Sequence, residues 1–184
     1  MKSLSYSLFM PAYHIAGPSG SGKSTVGKIL QQWGFVVIET DSEEGLSGWY
    51  SNDTGKKVIE TPIQPYPKEW VDAHRWLWDK SRMDELLGSV GTEPVFFCGG
   101  AFNEKDFYSS FEKRFGLCVD KDTMTVRLQQ REPERWADGS AELSRQLEWN
   151  EKFKDFCVAS GAIVIDSSVS PDDVADAILS HVQN

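Results

Sequence analysis

The sequence predicts a three-layer α/β domain, a parallel sheet of five short strands with helices on both faces. Three observations carry that reading. Short apolar runs of strand length alternate with helix-length amphipathic segments, the pattern of a sheet whose strands run the same way and are joined by crossover helices. The first run, residues 13–16, leads directly into Gly17-Pro18-Ser19-Gly20-Ser21-Gly22-Lys23-Ser24-Thr25, which satisfies Gly-x-x-x-x-Gly-Lys-Ser/Thr at every constrained position. The run at 35–38 ends in Glu39-Thr40-Asp41, so acidic residues stand at the carboxyl end of a strand, where open α/β sheets bind ligands.

The glycine-rich stretch is a phosphate-binding loop. Its glycines let the chain turn tightly, so that the N–H groups of Gly17, Ser19, Gly20, Ser21 and Gly22 and the following helix N-terminus cradle a polyphosphate. Lys23 adds a mobile positive charge at the terminal phosphates. Ser24 is placed to bind Mg²⁺, and Thr25 caps the helix or contacts a phosphate nearer the base. The helix is expected from residue 23 to about 33, with Gly34 as its C′ residue. Asp41 carries two readings: a ligand-facing acid, or the N-cap of a turn opened by Ser42-Glu43-Glu44.

Residues 45–67 break the pattern with Gly45, Gly48, Asn52-Asp53-Thr54-Gly55 and three prolines. They read as a long irregular segment or a small hairpin, with Trp49-Tyr50 and Val58-Ile59 flanking the turn, and such segments are commonly lids or binding elements. A helix is predicted from about 68 to 90. Its stripe would be Ala73, Trp76, Met83, Leu87 and Val90, with Trp70, His74 and Trp78 on another face beside Arg75 and Arg82. Those tryptophans either pack under the long loop or wall an acceptor site in which Arg75 or Arg82 grips an anion.

A buried strand at 94–98 ends in Gly99-Gly100, where backbone can approach a ligand closely or simply turn. A short helix at 104–111 and a strand at 115–119 follow. Asp120 at that strand's end either completes a hydrophobic-run-plus-Asp Mg²⁺ motif or starts the next helix with Asp122 and Thr123. Arg127 and Arg131 then lie one helical turn apart, before a Pro133 to Gly139 loop carrying Arg135. With a phosphate loop in the same chain, they read as phosphate-closing arginines rather than a solvated face. A helix at 141–159, a strand at 162–165 and a helix at 171–182 with Asp172-Asp173 at its start complete the chain.

The 184 residues, 40% of them hydrophobic, suit one domain, 1–184. A net charge of −9 argues against a surface that neutralises nucleic-acid or membrane phosphates, so no nucleic-acid or membrane partner is expected. Cys98, Cys118 and Cys157 have neither disulfide-framework nor zinc spacing and read as free thiols of a cytoplasmic protein. Residues 1–10 are too short for a signal h-region, and no apolar run has membrane-spanning length. Oligomeric state is not legible.

On these motifs the chain resembles the small P-loop kinases, the group of nucleoside and nucleotide, shikimate and gluconate kinases. The resemblance implies a P-loop kinase-like domain with strand order 2-3-1-4-5, an acceptor-binding insert at about 42–90 and a short lid at about 131–140. It implies ATP and Mg²⁺ as cofactors and transfer of the γ-phosphoryl group to a small metabolite. Glu39-x-Asp41 looks like the Asp-x-Asp of shikimate kinases, with Glu in the first place; there the first acid helps hold Mg²⁺ through water and the second contacts the acceptor hydroxyl. Gly99-Gly100 looks like the end of their Gly-Gly-Gly motif. Arg127-x-x-x-Arg131 looks like the pair opening the kinase lid, the first arginine against adenine and the second on the phosphates, and residues 167–171 would close the adenine pocket. Lys23, Asp41 and Arg131 are then the catalytic candidates. A nucleoside or nucleotide acceptor is favoured because Trp49, Tyr50, Trp70 and Trp78 offer rings to stack a base. The alternatives are a polar carbocycle or sugar acid, and a nucleotide-binding regulator or slow hydrolase with no metabolite acceptor.

Overall fold

The computed structural model describes residues 11–64 and 66–182. In chain order the first half forms β1 (Ala12–Ala16), α1 (Lys23–Gln32), β2 (Val36–Glu39), β3 (Ser47–Ser51), α2 (Lys68–Asp72), β4 (His74–Trp78), α3 (Lys80–Gly88) and β5 (Val95–Cys98). A 3-10 turn (Glu104–Ser110), β6 (Lys113–Cys118), α4 (Lys121–Arg131), α5 (Ala141–Ser160), β7 (Ile163–Asp166) and α6 (Pro171–Val182) follow. Five parallel strands form the main sheet in the order β2-β5-β1-β6-β7, which is 2-3-1-4-5 counted among the sheet's own strands, as expected.

Alternation along β1 divides the core. Tyr13 and Ile15 face one layer with Val26, Leu30, Phe96, Phe115, Leu117 and Ile178. Ala12 and His14 face the other, where Trp78, Met83, Phe97 and Phe111 pack. Both faces of the central strands are buried, which is why these strands read as continuous apolar runs rather than alternating ones. The strands being parallel, the loop from β1 to α1 opens at their carboxyl ends. Among the described residues no helix is long and apolar enough to cross a membrane, and residues 1–10 lie outside them.

The helix expected over 68–90 does not form as one piece. It stops at Asp72, residues 74–78 run as β4 antiparallel to β3, and Asp79 caps α3 by accepting from the backbone N–H of Arg82 at 2.9 Å. The reason is arithmetic. A step of four from His74 to Trp78 is also two steps of two, so the spacing read as a helical face serves a strand equally well, and aromatic residues favour the pleated surface. The expected hairpin forms in reduced shape: Ser51 and Val58 N–H donate to the carbonyls of Lys56 and Trp49, while β3 makes its full ladder with β4. Trp78, expected beside the acceptor, is instead fully buried, edge-on to His14.

Candidate nucleotide and acceptor site

The loop between β1 and α1 has the backbone its glycines allow. Gly20 and Gly22 hold φ of 83° and 92°, which a side chain would strain, and a Cβ at Gly17 would collide with the Ser21 side chain. No side chain caps α1, so its first N–H groups and its dipole are left for an anion. Lys23 Nζ folds back onto the carbonyls of Gly17 and Pro18, at 2.6 and 3.0 Å. Burial pushes its pKa down, and the nearby carboxylates of Asp41 and Glu39 oppose that shift.

Ser24 Oγ donates to Glu39 Oε2 at 3.1 Å, and Glu39 Oε1 is buried with no donor. Desolvation raises the Glu39 pKa against the bond from Ser24 and the charge of Lys23. The carboxylate comes this close to α1 because residue 27 is glycine: a Cβ there would lie 2.6 Å from Oε1. A hydroxyl and a carboxylate side by side, one oxygen lacking a partner, fit a hard cation such as Mg²⁺. Among the described residues no group of three or more His, Cys, Asp or Glu side chains is arranged for a metal. Such a pair would supply at most two protein oxygens, with water and phosphate left to complete the sphere of an Mg²⁺ ion. Asp120 is not part of this corner. Its carboxylate caps α4, accepting from Thr123 N–H at 2.8 Å, and the bonds from Thr123 and Ser168 hold its pKa down at about 2.

A cavity of about 360 Å³ opens on the loop, with Ser19 to Val26 as floor and Asp41 at one end. Arg127, Gln130 and Arg131 of α4 form one wall, and Ser167, Val169, Pro171 and Val174 form the other. The volume is that of a small-ligand pocket. Arg127 Nη1 donates to Ser167 O at 2.9 Å and approaches Gly20 O at 3.5 Å, so its guanidinium ties the two walls together. Arg131 is half-exposed, paired with Glu132 at 3.3 Å and 5.9 Å from the centroid of the Trp136 ring. Arg135 stands outside the lining. It is bonded to Glu142, Glu132 and Gln64 and stacked 4.7 Å over Trp136, whose buried ring anchors the segment between α4 and α5.

At the far end, Asp41 caps no helix. Residues 41–46 are turns closed by backbone bonds onto Glu39 and Glu43, and Asp41 Oδ1 accepts from the indole N–H of Trp76 at 3.1 Å. Gly99, at φ 145°, lies against this segment, since a Cβ there would run into Thr40 and reach 3.5 Å from Asp41 Oδ1. Gly100 neighbours Glu104 instead. Trp49 joins Trp76, Trp70 and Tyr66 in edge-to-face contacts of 4.9–5.6 Å, and Tyr50 lies opposite Arg75 in the hairpin. The two arginines expected to grip an anion are engaged elsewhere. Arg82 binds Glu43 at 2.6 Å and Glu85 at 3.1 Å, fastening α3 to the loop after β2, and exposed Arg75 lies over the Phe102 ring.

Sequence reasoning missed Trp76, which it assigned to a helical stripe, and Gln146, whose Oε1 accepts from Ser19 N–H at 3.3 Å. It also passed over His14, buried in β1, which donates from Nε2 to Gly99 O at 2.9 Å. Desolvation lowers the His14 pKa, so the neutral ring with this tautomer is favoured.

No protein-family model matches the chain, and no curated protein does. Solved structures do. A shikimate kinase from Acinetobacter baumannii in complex with shikimate aligns with TM-score 0.60 at 20% identity, over 96% of this chain and 94% of its own. A gluconokinase from Sinorhizobium meliloti 1021 aligns with TM-score 0.54 at 16% identity, over 95% and 93%. A deoxyadenosine kinase from M. mycoides with bound dATP gives 0.53 at 16% identity, over 95% and 100%. The fold is that of the small P-loop kinases. At these identities the likeness shows the fold alone.

Proposed function

We propose that this chain is an ATP-dependent phosphotransferase that moves the γ-phosphoryl group of ATP to a hydroxyl of a small molecule, with Mg²⁺ as cofactor. The observation that carries the reading is that Asp41, beside Gly99, lines the same pocket as Lys23 and the phosphate loop. In the transfer, the acceptor oxygen bonds to Pγ while the bond from Pγ to the β-phosphate oxygen breaks, its electron pair leaving with ADP. The hydroxyl proton passes to Asp41. The loop N–H groups and Lys23 hold the phosphates in line, Arg131 closes on the transferring group, and Arg127 borders the base. Ser24 and Glu39 would hold Mg²⁺, which when bound neutralises phosphate charge.

A nucleoside acceptor is the favoured class. Trp49 and Trp76 offer ring faces and edges beside Asp41, whereas a sugar acid or carboxylated carbocycle calls for a cation, and Arg75 and Arg82 are turned elsewhere. A regulator or slow hydrolase would gain support from Asp120 as the Mg²⁺ acid, and that side chain caps α4. The test is ATP consumption by purified protein across nucleosides, nucleotides and sugar acids. ADP formation stimulated by nucleosides supports the reading, and Asp41→Asn should cut it by roughly 10²–10⁴-fold with ATP affinity unchanged. Turnover indifferent to every acceptor contradicts it.

A further inference from the structure

Asp41 stands two residues beyond Glu39, the last residue of β2, in a stretch of turns, and its own backbone does not fix its carboxylate. Lys23 lies close enough to attract it electrostatically. A carboxylate collapsed onto that lysine would be lost to an acceptor hydroxyl, so something must hold it away. Among the described residues the single hydrogen-bond donor to Asp41 is the Trp76 indole. That indole is itself held. Trp76 sits directly opposite Trp49 in the β3–β4 ladder, the two rings meet edge to face at 5.6 Å, and Trp76 O accepts from Phe102 N–H at 2.9 Å.

We infer that Trp76 is a positioning residue for phosphoryl transfer: its indole N–H pins Oδ1 of Asp41, leaving Oδ2 to orient the acceptor hydroxyl and take its proton. The inference rests on the reading of Asp41 as the acceptor-facing carboxylate. It also gives the irregular insert a purpose, since the small β3–β4 sheet exists where one donor must be held rigidly over the end of β2. An indole suits the task because it has one donor, no acceptor and a large ring that packing can immobilise.

Trp76→Phe keeps a ring against Trp49 and removes the donor. Transfer from ATP to adenosine, cytidine, guanosine and thymidine is measured for wild type, Trp76→Phe and Asp41→Asn, counting ADP and phosphorylated nucleoside separately. Loss of a charge-assisted bond that acts in the transition state predicts a kcat lower by roughly 10–100-fold in Trp76→Phe. KM for ATP and thermal stability should stay near wild type. The ratio of ADP to phosphorylated nucleoside should rise as water competes for an acceptor no longer held, a readout that loss of packing alone would not move. Wild-type kcat and ratio in Trp76→Phe, beside an impaired Asp41→Asn, overturns this inference and leaves the function standing. A fully active Asp41→Asn overturns both. A second measurement needs no acceptor: in ¹⁵N–¹H spectra the Trp76 indole resonance, identified by its absence in Trp76→Phe, should shift and exchange faster with solvent in Asp41→Ala. An unchanged resonance overturns the inference.

Discussion

Ser24 Oγ and Glu39 Oε2 lie 3.1 Å apart, joining the first turn of α1 to the end of β2, and the second oxygen of Glu39 is buried without a donor. Such a carboxylate is poised for a cation and is a liability without one. Its pKa is raised by burial, so between the unfolded and folded values the folded chain holds a proton that the unfolded chain has released, and stability falls as pH rises through that window. Glu39→Gln removes the charge. In the absence of Mg²⁺ its melting temperature should exceed wild type at pH 7, with the gain vanishing near pH ~4, where glutamate itself is protonated. The same variant should need more Mg²⁺ for half-maximal activity. Calorimetry at the two pH values and an Mg²⁺ titration check both halves.

Asp120 gives the opposite pattern. Its depressed pKa of about 2 reflects the cap on α4, so its stabilisation is present above the unfolded value and lost as pH falls toward 2. Asp120→Ala should lower the melting temperature by a few degrees, and Asp120→Asn should lower it less, because asparagine still caps the helix while losing the charge. Mg²⁺ dependence should be unchanged in both. A shifted Mg²⁺ titration would return Asp120 to the metal site.

The three arginines after Asp120 should separate cleanly. Arg131→Ala should lower kcat more than it raises KM for ATP, because a half-exposed guanidinium that closes on phosphate acts most in the transition state. Arg127→Ala should weaken nucleotide binding by loosening the bridge between Gly20 and Ser167. Arg135→Ala should leave both constants near wild type and destabilise the chain by about 1–3 kcal/mol, since Glu142 is buried and loses its partner. Steady-state kinetics with thermal melts on the three variants distinguishes them.

The phosphate loop was legible because its chemistry is local. Gly20 and Gly22 are needed where φ is positive, and Lys23 and Ser24 at fixed offsets from them. Strand order was legible through resemblance, since alternation alone gives parallel strands without their sequence in the sheet. The acceptor side was not. Whether residues 74–78 form helix or strand depends on a partner, β3, some 27 residues upstream, and a pattern common to periods of two and four does not encode the choice. Once that segment is a strand, Trp76 turns toward Asp41 and Trp78 toward His14, while Arg82 falls next to Glu43. One misread period displaced two candidates, Trp78 and Arg82, and hid Trp76.

The most direct test of phosphoryl transfer is ³¹P NMR of ATP, Mg²⁺ and mixed nucleosides incubated with wild-type protein and with Lys23→Ala. Among the described residues the Lys23 ammonium is held only by the carbonyls of Gly17 and Pro18, so the variant should fold while losing charge stabilisation at the transferring group. The predicted result is a new phosphomonoester resonance that grows in step with ADP in wild type and is absent in Lys23→Ala. ADP accompanied by inorganic phosphate alone, or equal phosphomonoester formation by a folded Lys23→Ala protein, would contradict the account.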